Sequence, residues 1–383
     1  MVSSNRLLSC FLGFCYAYAF GWSAFAAESE VLGRVHIEEN HFGKVVVAAD
    51  DQPMRGTSVM MNKYQRHNGE TRYFYDPEYW QMLRANGITA LRIAVFDPWQ
   101  RAHGDPGDTT PYPHGDFSDL YDQAEMFYEL DYLIETAGKH GMSVLVNYHN
   151  TGGYRDPDHS QPTNEKGEFP YLESMDEVVN FWELVAPRYA NRTHVFYEPL
   201  NEYAKWRPDN YTDEVLGDTY RIYEVIRQRA PQTHIVLLSF ANHIPQDPVK
   251  HSMLKTARKL AALGVDFSNA SVAFHPYNPK PEHVNPEKYI LELMAEYPVI
   301  NTEQNFPVKS IEELDWLDAS GLEGDKLGVQ SMERLGISWF HWNIDTPKRF
   351  RDYYIGKLLP DAKEKGYLWQ AASQEHEADP VPE

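Results

Sequence analysis

Eight short runs rich in β-branched and aromatic residues recur along this chain, and their spacing limits the folds open to it. They are RGTSVMM (55–61), GITALRIAV (87–95), MSVLVNYH (142–149), HVFYEPLNE (194–202), HIVLLSF (234–240), SVAFHPY (271–277), YPVINTEQ (297–304) and GISWFHWN (336–343). Several are continuously apolar rather than alternating, as in parallel strands buried on both faces. Amphipathic stretches at 76–87, 119–141, 174–191 and 211–231 precede the second to fifth runs. ANG, KHG and RLG close helical patterns immediately before a strand, which is ordinary helix-stop chemistry. Eight β/α units wound right-handed predict an α/β fold, a closed (β/α)8 TIM barrel. No glycine-rich phosphate loop follows the first strand, which argues against an open dinucleotide-binding sheet.

Two connections are long, 96–118 after the second strand and 150–173 after the third. In a barrel, loops that follow strands lie at the C-terminal face, where active sites sit. Loops of this length inside a compact domain usually carry function.

The ends fall outside this repeat. Residues 1–26 read as a signal peptide: Arg6, an apolar run from Leu7 to about Ala26, and a small-x-small AFA site at 24–26. A retained N-terminal anchor is the alternative. Both cysteines, Cys10 and Cys15, lie in this segment, so the exported chain would carry no disulfide. Residues 27–365 form the expected barrel domain, with 30–50 a candidate hairpin across the barrel bottom. Residues 366–383 read as an acidic C-terminal tail. The expected location is secreted or periplasmic, and no other run is long enough to span a bilayer. With 56 acidic against 35 basic residues, a net charge of -21 repels nucleic acid and anionic membranes. A monomer is expected.

The ends of the runs carry the chemistry. The second gives Arg92, the third His149, the fourth Asn201 and Glu202, the sixth His275 and Tyr277, the seventh Glu303 and the eighth Trp342. In a barrel these positions converge on one mouth. A lone Glu at a strand end is usually a solvated rim residue. Two of them, with polar partners on the strands between, suit glycoside hydrolysis. One would be a protonated acid and the other an ionised nucleophile, sorted by their surroundings. Carboxylates about 5–5.5 Å apart would retain anomeric configuration, and about 6.5–9.5 Å would invert it.

This set resembles glycoside hydrolase family 5, in the clan of barrel glycosidases with catalytic carboxylates on strands 4 and 7. The resemblance runs over nearly the whole chain after residue 26. It implies Glu202 as acid/base, Glu303 as nucleophile and Asn201 as the partner of the sugar's 2-hydroxyl. It further implies that Tyr277 and Arg92 orient the nucleophile, that His149 and His275 line the subsite nearest the bond, and that Trp342 stacks the sugar. The sequence departs from the family pattern at Tyr203, where Asn-Glu-Pro is usual, at Pro199, and at Gln304 after the nucleophile.

Several residues have a second reading. Glu198 has the strand parity of Glu202 and reads as an interior supporting carboxylate. Trp99, Tyr154, Trp206 and Phe306 are candidates for flanking sugar subsites, or for loop cores. Neither His149 nor His275 belongs to a His-x-His or His-Glu-x-x-His pattern, so no metal and no cofactor is expected. Asp156, Asp158 and His159 read as solvated loop charge rather than a calcium site. The expectation is a retaining hydrolase of a β-linked polysaccharide or oligosaccharide, β-glucan first and β-mannan second. The alternative is a non-catalytic carbohydrate-binding barrel.

Overall fold

The computed structural model describes residues 33–61, 73–95, 120–149, 175–202, 211–241, 253–276, 286–304, 329–342, 351 and 355–356. A hairpin of β1 (His36–Asn40) and β2 (Gly43–Val47) comes first. Eight parallel strands follow: β3 (Arg55–Met61), β4 (Ala90–Val95), β5 (Ser143–Tyr148), β6 (Val195–Glu198), β7 (Ile235–Ala241), β8 (Ala270–His275), β9 (Val299–Gln304) and β10 (Trp339–His341). Each pairs with the next, and β10 pairs with β3, so the sheet closes. Between them run α1 (Pro77–Ala85), α2 (Leu120–Lys139), α3 (Met175–Tyr189), α4 (Asp213–Arg229), α5 (Met253–Leu263), α6 (Pro286–Met294) and α7 (Val329–Leu335). This is the expected (β/α)8 barrel. Among the described residues no helix is long and apolar enough to cross a membrane.

Local chemistry sets the element ends. Asp76 caps α1 by accepting from the Glu78 amide, and Pro77 opens the helix. Gly87, Gly141 and Gly336, the glycines of ANG, KHG and RLG, all have positive φ. In each case the next residue's amide reaches back into the helix (Ile88 to Leu83, Met142 to Ala137, Ile337 to Met332), closing the last turn.

Two layers of core flank the sheet. The larger lies between strands and helices and holds Trp80, Phe181, Trp182 and Trp339. The smaller fills the barrel with one residue per strand: Ala90, Leu145, Phe196, Val236, Ala273, Ile300 and Phe340, with Met54 just ahead of β3. Gly56 of β3 makes room for it, because a Cβ there would sit 2.1 Å from the Phe340 ring. Val35 and Val46 of the hairpin segment belong to the same cluster, and β2 pairs with the start of β9 at Val45–Val299. The hairpin therefore closes the barrel bottom, as its sequence predicts.

Side chains alternate along a strand. Two residues beyond that apolar layer, the interior positions become Arg92, Asn147, Glu198, His275, Thr302 and Trp342. An apolar plug below and a polar layer above leave the chemistry at the C-terminal mouth.

Candidate active site

Arg92 is fully buried at the centre of that polar layer. Its Nε donates to Glu198 Oε2 at 2.7 Å, Nη1 to Glu303 Oε2 at 2.6 Å and Nη2 to Asn201 Oδ1 at 2.6 Å. One guanidinium thus ties β4, the segment after β6 and β9 together. Glu198, the supporting carboxylate of the sequence reading, is completely buried. Its Oε1 lies 2.6 Å from Ser239 Oγ and 2.7 Å from Thr302 Oγ1. Burial alone would raise its carboxyl, but Arg92 and then His275 outweigh burial and bring it down to about 2.

The predicted strand to Glu202 is shorter than expected. β6 ends at Glu198, because Pro199 has no amide to continue the ladder. The chain then turns, with Asn201 N donating to Tyr148 O at 3.1 Å and Trp182 Nε1 to Pro199 O at 2.9 Å. Glu202 itself has a φ of 44°, in the left-handed region that non-glycine residues avoid. Such a conformation costs on the order of 1–3 kcal/mol and persists only where its surroundings hold it. Here it aims the Glu202 carboxylate at His275, whose Nδ1 lies 2.6 Å from Glu202 Oε1.

Glu303 is aimed by an irregularity of another kind. Between Trp339 and His341 of β10, β9 advances from Asn301 to Gln304, one residue too many. This bulge turns both Thr302 and Glu303 toward the interior, a common use of bulges beside active sites. β7 does the same between Leu237 and Phe240, with Leu238 at a φ of 72°, and so delivers Ser239 to Glu198. Oxygens of Glu202 and Glu303 and a ring nitrogen of His275 lie within 4.8 Å of one another. The Nδ1–Oε1 contact of 2.6 Å is shorter than the roughly 3.3 Å between two ligands of one tetrahedral zinc. It is a hydrogen bond between His275 and Glu202. In a second group, beneath the barrel, His36 Nε2 lies 3.0 Å from Asp51 Oδ1 and 3.3 Å from Glu38 Oε1.

The remaining predicted residues frame the carboxylates. His149, just past β5, donates from Nδ1 to Asn147 Oδ1 at 2.8 Å. Its ring stacks on Trp342 at 4.7 Å between centroids and 10° between planes. The Arg92 guanidinium lies 5.6 Å from the Trp342 centroid. Burial, then Arg92 and His275, hold the His149 imidazole well below its ordinary range. Tyr277, Trp99, Tyr154, Trp206, Phe306, Asp156, Asp158 and His159 lie outside the described residues. Sequence reasoning missed Asn147, Ser239 and Thr302. Their signal was a polar residue inside an otherwise apolar strand run, in LVNYH, LLSF and INTE.

The charge pattern has a consequence for stability. Burial would lower the His275 imidazole, but Glu303, Glu198 and Glu202 outweigh it and raise it to about 9. Its stabilisation is complete below the unfolded value of 6.5 and is lost as pH rises through about 9. His149, His234 and His341 are instead buried neutral, with His234 brought down to about 3. Their contribution is present above 6.5 and is lost as pH falls below it. Glu198 adds a further loss as pH falls from 4.5 through about 2. The thermal midpoint is therefore expected to peak near pH 6.5 and fall on both sides. In His275→Asn the alkaline limb should flatten. A wild-type midpoint that keeps rising to pH 9 would contradict these charge states.

Comparison with known proteins agrees with the geometry. The family model described as cellulase, glycosyl hydrolase family 5, matches residues 49–347. A β-xylosidase of Phanerodontia chrysosporium is 27% identical over 201 residues, 52% of this chain and 38% of the relative. Cellodextrinase A of Ruminococcus flavefaciens is 30% identical over 120 residues, 30% of this chain and 32% of the relative. The chain thus spans about a third of the length of these curated relatives. Among solved structures, the catalytic domain of Thermobifida fusca endoglucanase Cel5A has a TM-score of 0.52 at 18% identity, covering 81% of this chain and 85% of that one. The β-glucanase SdGluc5_26A of Saccharophagus degradans has a TM-score of 0.54 at 15% identity, covering 84% and 88%. At such identities the structures speak for the fold, while the family model spans most of the sequence: the chain belongs to the cellulase family, glycosyl hydrolase family 5.

Proposed function

We propose that this protein is a retaining glycosidase of β-linked glucan, with Glu202 as acid/base and Glu303 as nucleophile. The observation that carries this reading is the approach of the two carboxylates to within 4.8 Å. That spacing suits direct attack by one of them and leaves no room for the water an inverting enzyme places between. Glu303, bound through Oε2 to Arg92, attacks the anomeric carbon and forms a glycosyl ester while Glu202 protonates the departing oxygen. Glu202 then takes a proton from water, which cleaves the ester. Asn201, held by Arg92 Nη2, presents its amide to the sugar's 2-hydroxyl, a contact that strengthens in the oxocarbenium-like transition state. Trp342, with His149 stacked against it, offers a flat face to the same sugar.

A β-glucan substrate is favoured by the cellodextrinase among the relatives. β-Mannan is the second candidate. Export to a secreted or periplasmic location, from the reading of residues 1–26, is part of the proposal, and so, separately, is a monomeric state. The test is release of reducing sugar from cellulose, mixed-linkage glucan, mannan, xylan and marine galactans. Fastest release from a β-glucan is expected. Binding to these glycans with no product from any of them would replace the proposal with a non-catalytic binding barrel.

A further inference from the structure

The polar layer contains a chain of contacts that the double displacement does not use. Thr302 Oγ1 lies 2.7 Å from Glu198 Oε1 and 2.9 Å from His275 Nε2. The other ring nitrogen, Nδ1, lies 2.6 Å from Glu202 Oε1. Glu198, Thr302 and His275 are all buried, and Glu202 shows 15% of its side chain.

Proton counting orders this chain. Thr302 has one hydroxyl proton, and an ionised carboxylate only accepts. With Glu198 held as an anion by Arg92, two oxygens 2.7 Å apart need that proton between them. The lone pair of Thr302 Oγ1 is then what faces His275 Nε2, so Nε2 must carry a hydrogen. Ser239 adds a second hydroxyl at 2.6 Å on the same Oε1 and leaves the polarity of the chain unchanged. His275 is faced by Glu198 and Glu202 from the β6 segment and by Glu303 from β9, with His149 as the further imidazole of the layer.

We propose that Glu198 and Thr302 fix the Nε2–H form of His275, leaving Nδ1 as the nitrogen that shares hydrogen with Glu202. They are positioning residues for the acid/base. When Nδ1 donates to Glu202 Oε1, the contact favours that oxygen as the carbonyl, the better acceptor, and the other as the hydroxyl. The proton sits on Oε2, the oxygen free to meet the leaving group, and after glycosylation the same Oε2 receives the proton of water. No covalent bond changes in the relay. The inference rests on Glu202 being the acid/base.

Two measurements test it. In protein labelled with nitrogen-15 at histidine, two-bond proton–nitrogen correlation reads the tautomer of His275, assigned by its loss in His275→Asn. Nε2 is expected to be of the protonated type at every pH at which the protein stays folded, with only Nδ1 titrating. A wild-type Nε2 that is unprotonated in any part of that range overturns the proposal, whatever the substrate. The second measurement compares phenyl with 2,4-dinitrophenyl β-cellobioside, since a good leaving group needs no acid. Thr302→Val should lose about tenfold more kcat/KM on the phenyl than on the dinitrophenyl substrate, and Thr302→Ser should recover most of it. Equal losses on both substrates would reduce Thr302 to a packing residue and overturn the proposal. Glu202→Ala separates the two readings. If it fails to discriminate between the leaving groups, the acid/base assignment falls, while the tautomer measurement still judges the relay.

Discussion

Glu303→Ala is expected to lower kcat/KM on 2,4-dinitrophenyl β-cellobioside by on the order of 10⁴-fold or more, the scale on which a removed nucleophile is felt. The substitution removes the proposed nucleophile. It leaves Arg92 Nη1 without the Glu303 oxygen it held at 2.6 Å. A small anion should therefore enter beside the guanidinium. Azide there approaches the sugar from the face that Glu303 occupied, so it should restore turnover and give the α-glycosyl azide. In Glu202→Ala the ester still forms, and azide attacks it from the opposite face to give the β-azide. The two variants thus predict opposite product configurations from one added anion. Undiminished turnover in Glu303→Ala would remove the nucleophile assignment.

Arg92→Met should destabilise the protein by about 3–5 kcal/mol, the cost of breaking a buried ion pair from one side. Methionine fills much of the arginine's volume, so the effect is electrostatic more than a cavity. Glu198 has no exposure to solvent and Glu303 is 5% exposed, so neither can be rehydrated in place. Asn201 Oδ1 also loses its donor. Chemical denaturation measures the loss. Adding Glu198→Gln to Arg92→Met removes one of the stranded charges and should recover part of it, because partners in one network are not additive. A loss below about 1 kcal/mol would mean that this layer is not the buried ionic network described here.

The sequence carried the strand order, the helix stops and the identity of the charged groups, because each rests on local pattern. Alternation along buried strands was enough to bring Arg92, Glu198 and His275 into one layer. What it did not carry was the way Glu202 and Glu303 are aimed. Strict alternation puts Thr302 inside and Glu303 outside, and only the extra residue of the β9 bulge presents both. Likewise, the run reads as a strand through Pro199 to Glu202, and the left-handed backbone at Glu202 was not foreseen. Ser239 was hidden for the same reason, since the bulge at Leu238 shifts its parity. These irregularities are tertiary compromises. The register against the neighbouring strand of the barrel decides them, and no short window of residues contains that information.

The most direct test of the paired carboxylates is the proton NMR spectrum of the first-formed product, recorded before mutarotation, on whichever glycan of the panel is cleaved fastest. The account predicts that the new reducing end appears first as the β anomer. Initial appearance of the α anomer would contradict it, because Glu303 could not then have formed an ester with the sugar.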